Sequence, residues 1–190
     1  MARTPSNMLP LGTKAPTFNL LDTTSDTYKN LEHLQGAKGT VIAFICNHCP
    51  FVIHINQTLV NMANLYQEKG INFIAISSND IEKYPQDSPD KMKLHALATG
   101  YSFPYLYDET QEVAKAYDAA CTPDFYLFDS NLKLVYRGQM DSSRPENGLE
   151  NDASDLVHAM ECLLKKTPNE AVQKPSIGCN IKWKTTNLPS

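Results

Sequence analysis

The sequence has no apolar run long enough to cross a bilayer. Its densest, Val41-Ile42-Ala43-Phe44-Ile45, falls far short of the roughly 20 residues that a spanning helix needs. The opening Met1–Pro10 stretch lacks the apolar core of a secretory signal, so a reducing cytoplasm is the expected setting. An excess of positive charge is also missing. Lys and Arg number 17 against 21 Asp and Glu, and the net charge of −4 leaves no basic field for a phosphate backbone, which excludes nucleic acid as a partner. Cysteine is sparse: Cys46, Cys49, Cys121, Cys162 and Cys179 are an odd number, thinly spread, and do not make the disulfide framework of a small secreted protein. Internal repeats and low-complexity segments are absent too.

What is present is an ordinary globular composition, 42% hydrophobic and 20% charged over 190 residues. That length supports one well-buried core, and a single domain over 1–190 is expected. Residues 167–190 read as an extended C-terminal tail, docked on the body because Ile181 and Trp183 need cover. The first 16 residues, with three prolines, read as an irregular lead-in.

The strongest local signal is Thr40 to Cys46, β-branched and almost continuously apolar, as in a strand buried on both faces. From Pro50 the period changes. Phe51, Ile55, Leu59, Met62 and Tyr66 form one apolar stripe, and Lys69-Gly70 closes the helix. Pro50 suits the first turn, where its missing N–H is not needed. Ile71–Ile76 is the next buried strand. Strand, C-x-x-C, helix and strand together make a βαβ unit with a parallel sheet. Further on, short strands are expected at Thr17–Leu21 and near Thr27-Tyr28, and short helices at Pro89–Thr99 and Thr110–Tyr117. A hairpin is expected from Asp124–Asp129 and Leu132–Gln139, and a final amphipathic helix at Asp155–Lys165.

Cys46 and Cys49 thus flank the strand-to-helix junction, where free N–H groups and the positive end of the helix dipole favour a thiolate. On this placement Cys46 is the exposed attacking thiol and Cys49, deeper in the helix, the resolving one. A protonated His48 would further favour the thiolate, hence a more oxidising pair. Thr122-Pro123 stands directly before an apolar strand. In a thioredoxin fold the proline at this point is cis and faces the C-x-x-C, opening backbone polar groups to an incoming peptide or thiol.

Gly12-Thr13-Lys14-Ala15-Pro16-Thr17-Phe18-Asn19-Leu20 resembles the opening of the redoxin group, the alkyl hydroperoxide reductase/thiol-specific antioxidant relatives of thioredoxin. Phe44 to Val52, Tyr136-Arg137-Gly138-Gln139-Met140-Asp141 and Gly178 to Trp183 are similar to a peroxiredoxin-like subgroup carrying a C-x-x-C. The resemblance implies an α/β thioredoxin fold, a central mixed sheet flanked by helices. It adds an N-terminal β-hairpin, an insertion before the cis-proline strand and a C-terminal tail. Arg137 would stand where peroxiredoxins keep an arginine, at the substrate rim. Two departures matter. If Cys49 matches the peroxidatic cysteine, Cys46 occupies the usual Thr or Ser position and Ile42 the proline position. The buried acid of thioredoxin is replaced by Thr40.

The expected activity is therefore a thiol–disulfide oxidoreductase working by dithiol exchange at Cys46-Asn47-His48-Cys49, with Thr122 and Pro123 lining the site. It calls for no cofactor and no metal. Its partners would be protein or small-molecule disulfides and an electron donor, with the chain a monomer or homodimer. A thiol peroxidase, a Cu or Zn site at Cys46, Cys49 and a histidine, and an inactive interaction module are the competing readings. Cys179 is a candidate third redox thiol. Cys121 and Cys162 read as packing residues, and His33, His54, His95, His158 and Arg144 carry no pattern of their own.

Overall fold

The structure is a computed structural model and describes residues 3–187. Among the described residues, ten strands and five α-helices follow one another. The strands are β1 (Arg3–Pro5), β2 (Asn19–Asp22), β3 (Thr27–Asn30), β4 (Gly39–Phe44), β5 (Ile71–Ser77), β6 (Tyr105–Tyr107), β7 (Cys121–Thr122), β8 (Asp124–Asp129), β9 (Leu134–Gly138) and β10 (Ile177–Asn180). The helices are α1 (Leu31–Leu34), α2 (Pro50–Gln67), α3 (Pro89–Thr99), α4 (Glu112–Ala116) and α5 (Ser154–Lys165).

The central sheet has the order β3-β2-β6-β5-β4-β8-β9. β4 pairs in parallel with β5 and β5 with β6, while β8 joins β4 antiparallel. This is the mixed sheet of a thioredoxin fold. β4 lies at its middle, and all six of its residues are buried. Its side chains alternate between two apolar layers, as the two-residue period of a strand requires. Val41, Ala43 and Ile45 face α2, α3 and α5. Ile42 and Phe44 face the layer holding Leu31, Phe18 and Tyr117.

The long helix forms where its stripe predicts. Ile55, Leu59, Met62 and Tyr66 are buried as expected, Val52 rather than the half-buried Phe51 takes the first core position, and Gly70 closes the connection with φ +90°. The helix α3 spans Pro89–Thr99 as expected, and Gly100 stops it in a left-handed conformation, but it buries Met92 and Ala96 while Leu94 and Leu97 of its weak apolar stripe are exposed. β8 and β9 form the expected antiparallel hairpin. On α5 the buried face is Leu156, Ala159 and Met160. Cys162 lies off that face, half-exposed and 3.6 Å from His158, rather than in the core.

The lead-in and the tail differ most from expectation. Arg3–Pro5 is a strand, not irregular chain, because it pairs antiparallel with β10. β10 pairs in turn with β7, making a separate sheet of order β1-β10-β7. Cys179 stands opposite Thr122 in that register. Gly178 permits the approach: a Cβ there would lie 1.9 Å from the Thr122 carbonyl oxygen. No helix among the described residues is long and apolar enough to cross a membrane.

Candidate active site

Residues 45–49 form the turn between β4 and α2. Ile45 donates its N–H to the Ile76 carbonyl at 2.9 Å, which carries the β4 pairing up to Cys46. Cys49 is the N-cap of α2, with Pro50 in the first turn. Its carbonyl accepts the Val52 and Ile53 N–H groups at 2.9 and 3.0 Å. Cys49, rather than Cys46, is therefore the thiol nearest the free N–H groups of the helix start.

The exposure expected of Cys46 is overturned. Its accessibility is 1%, beside 0% for Cys49 and 2% for Cys179. The cover is the segment 79–88. Asp87 Oδ1 accepts the Asn47 N–H at 2.9 Å, and the Asn47 side-chain amide donates to the Gln86 carbonyl at 2.9 Å. His48 Nδ1 lies 2.7 Å from Asp87 Oδ2, and its ring stacks on Tyr84 with centroids 5.6 Å apart. The second Asp87 oxygen also accepts the Asn79 amide at 2.8 Å. The tail holds this cover in place: Asn79 Oδ1 accepts the Lys182 N–H, and the Asp80 N–H donates to the Lys182 carbonyl.

Thr122 and Pro123 close the other side. The Thr122–Pro123 peptide is cis. Thr122 Oγ1 lies 3.6 Å from Cys46 Sγ, and the Cys49 thiol donates to the Thr122 carbonyl at 3.2 Å. Cys179 Sγ is 3.0 Å from Cys49 Sγ. All five cysteines are thiols.

The three clustered thiols ionise unequally. Cys49 is held down to about 5, first by the hydrogen bond from Cys46 and then, against the cost of burial, by bonds from the Cys179 thiol, the Thr122 hydroxyl and the Cys179 N–H. Cys46 is raised well above the ordinary thiol value by its hydrogen bond to Cys49, by burial and by the Asp87 charge. Cys179 is pushed up to about 12, chiefly by burial and then by Cys49. Of the three, Cys49 is the most acidic, and Cys46 and Cys179 are the weaker acids that would donate to it once it ionises.

The remaining candidates lie apart from the thiols. Arg137 donates from Nε to the Leu9 carbonyl at 2.9 Å and from Nη1 to Gln173 Oε1 at 2.7 Å, tying the edge strand β9 to the lead-in and the tail. Its guanidinium is spent on structure rather than on a substrate rim. Burial pushes the Cys121 thiol far up, and it donates to the Pro123 carbonyl at 3.7 Å. Thr40 is buried and its hydroxyl accepts the Gly36 N–H, so it is no substitute for an acid. The ligand atoms of Cys46, His48 and Asp87 lie within 4.8 Å of one another, a grouping the sequence did not suggest because Asp87 is 41 residues from Cys46.

Asp87 and Tyr84 are the functional candidates that sequence reasoning missed. Their only signal was position, in the polar proline-dotted stretch that the resemblance marks as an insertion.

Residues 10–153 match the Redoxin family. An uncharacterized conserved protein from Geobacillus kaustophilus is 56% identical, with TM-score 0.96 over 97% of this chain and 98% of that one. A hypothetical protein from Sinorhizobium meliloti 1021 is 43% identical, with TM-score 0.93 over 96% of this chain and 99% of that one. The thioredoxin domain of a thiol-disulfide oxidoreductase from Bacteroides vulgatus shares the fold at 18% identity, with TM-score 0.60 over 78% of this chain and 96% of that one. No curated protein sequence matches the chain.

Proposed function

The chain belongs to the Redoxin family, and from that membership we propose that it is a thiol–disulfide oxidoreductase acting by dithiol exchange at Cys46-Asn47-His48-Cys49. The observation that carries this reading is the pair of buried thiols where β4 turns into α2, Cys46 3.6 Å from the Thr122 hydroxyl and Cys49 3.2 Å from the Thr122 carbonyl, directly before the cis-proline. An acidic thiol held beside a second thiol is what the resolving step requires, and Cys49 is the more acidic of the two.

Cys46 makes the bond to substrate, since it lies under the 79–88 cover, whereas Cys49 is enclosed by Thr122 and Cys179. When the cover opens, Cys46 passes its proton to Cys49 and attacks one sulfur of the substrate disulfide. The departing substrate thiolate takes that proton. Cys49 then attacks Cys46, the mixed disulfide breaks, and the second substrate thiolate leaves and is protonated by water. The substrate gains two electrons and the pair becomes a disulfide. An electron donor restores it, or the same steps in reverse oxidise a dithiol. The expected partners are a disulfide substrate and that donor, in a reducing cytoplasm.

Serine substitution tests the roles. Cys49→Ser should accumulate mixed disulfides at Cys46, and Cys46→Ser should accumulate none. Trapping only in Cys46→Ser would invert the assignment. Trapping in neither, with no Cys46–Cys49 bond in the wild-type protein, would end the reading.

A second reading is favoured by one feature: Cys49, the position matching a peroxidatic cysteine, is the thiol whose pKa is pushed down, by the hydrogen bonds of its neighbours. Stopped-flow oxidation by hydrogen peroxide faster than a free thiolate would support peroxidase chemistry, and a rate no better than a free thiolate would dismiss it.

A further inference from the structure

We propose that Cys179 is a third redox thiol, presented by β10 as a built-in substrate strand, and that the disulfide moves between Cys46–Cys49 and Cys49–Cys179. This rests on the exchange reading above and adds a second oxidised state to it.

The geometry has three independent parts. First, the Cys49 and Cys179 sulfurs lie 3.0 Å apart across 130 residues of chain. Second, β10 reaches them by strand addition, pairing antiparallel with Cys121-Thr122 directly before the cis-proline. Strand addition to an exposed edge is a general mode of peptide recognition: backbone hydrogen bonds hold the strand and alternate side chains enter the site. Here the inward side chain is Cys179, and its N–H also donates to Cys49. Third, Gly178 is the residue that lets this strand sit against the Thr122 carbonyl, because any Cβ would overlap it. The remaining edge of β10 is covered by β1, so the strand is held from both sides.

The transfer needs no outside reagent. Starting from the Cys46–Cys49 disulfide, the Cys179 sulfur attacks Cys49, the Cys49–Cys179 bond forms and the Cys46–Cys49 bond breaks. The proton of Cys179 passes to the departing Cys46 thiolate. No electrons are gained or lost overall. The product keeps the oxidising equivalent on the tail and returns Cys46 as a thiol, free for a second substrate bond.

The test is disulfide connectivity, read by acid quench, alkylation and peptide mass spectrometry after oxidation with stoichiometric diamide, which takes up two electrons and two protons per disulfide formed. Cys46→Ser should yield a Cys49–Cys179 cross-link. Oxidised wild-type protein should contain that cross-link together with a fraction of Cys46 still open to alkylation, and this fraction should vanish in Cys179→Ala. The proposal is overturned if Cys49 and Cys179 both remain alkylatable in oxidised Cys46→Ser and wild-type protein shows Cys46–Cys49 alone. In that case exchange at the pair still stands. Failure of the exchange reading has a different signature, the absence of any Cys46–Cys49 bond in the wild-type protein. The wild-type measurements need no variant to fold.

Discussion

His48 Nδ1 lies 2.7 Å from Oδ2 of Asp87, a carboxylate with no solvent exposure, beside the Asn47 hydrogen bonds that hold the 79–88 segment over Cys46. The same carboxylate also accepts the Asn47 N–H and the Asn79 amide. Two donors, one from each segment, thus depend on one side chain.

Removing that side chain should open the cover. Asp87→Ala leaves buried donors without a partner, at a cost of about 1–3 kcal/mol. If that cost falls on the closed position of the segment, the open population rises by about tenfold for each 1.4 kcal/mol. Alkylation of Cys46 by iodoacetamide should accelerate accordingly. An unchanged rate in a variant that remains folded would show that the segment is not the barrier.

The Cys49 value of about 5 predicts a pH-dependent contribution to stability. Its folded value is depressed below the unfolded one, so the contribution is fully present above the ordinary thiol value. It diminishes at lower pH and is lost as pH falls through about 5. Ultraviolet thiolate absorbance should show a midpoint near 5 that is absent in Cys49→Ser and moves upward in Cys179→Ser. A wild-type midpoint at the ordinary thiol value would contradict the hydrogen-bonded cluster.

Asp124 acts in the opposite sense. Burial pushes its carboxyl up to about 8. The folded protein therefore holds this proton more tightly than the unfolded chain does. The associated stability is full below the ordinary carboxyl value and is lost as pH rises through about 8. Urea unfolding from acid to mildly alkaline pH should decline less steeply in Asp124→Asn than in wild type, by more than about 1.4 kcal/mol, the equivalent of one pKa unit. Parallel profiles would mean that Asp124 is ionised throughout.

Gly178→Ala places a methyl group against the Thr122 carbonyl. Overpacking at a buried site costs about 1–3 kcal/mol, and the strand must move to relieve it. Unfolding should shift by that amount, and the Cys49 midpoint should rise because the Cys179 thiol and N–H withdraw. A variant with wild-type stability and an unshifted midpoint would show that β10 is not held against Thr122.

The centre of the molecule was legible in the sequence because its signals are local. The β-branched run into Cys46, the stripe from Ile55 to Tyr66 and the stop at Gly70 each specify one element with its own residues, although the stripe's first member is Val52 and not Phe51. The same holds for α3, bounded by Pro89 and Gly100. Elements defined by distant partners were not legible. Arg3–Pro5 ends in a proline and spans three residues, and it is a strand only because β10 lies beside it. Tyr105–Tyr107 is equally short and is fixed by β5 and β2. At the site, spacing located Cys46 and Cys49 but ranked them the wrong way round: it made Cys46 the thiol favoured as thiolate, whereas Cys46 is raised and Cys49 lowered. That ranking depends on Cys179, Thr122 and Asp87, which arrive from three other parts of the chain.

The three-stranded sheet joining Arg3–Pro5, Cys121-Thr122 and Ile177–Asn180 also sets an order of events during synthesis. A growing chain can lay down β4, Cys46, Cys49 and α2 long before residue 179 emerges from the ribosome. Until then Cys49 lacks the thiol and the N–H that Cys179 contributes. The thiol cluster is therefore completed only some 130 residues after its first two members, and a nascent chain carries an unfinished thiol pair until Cys179 arrives.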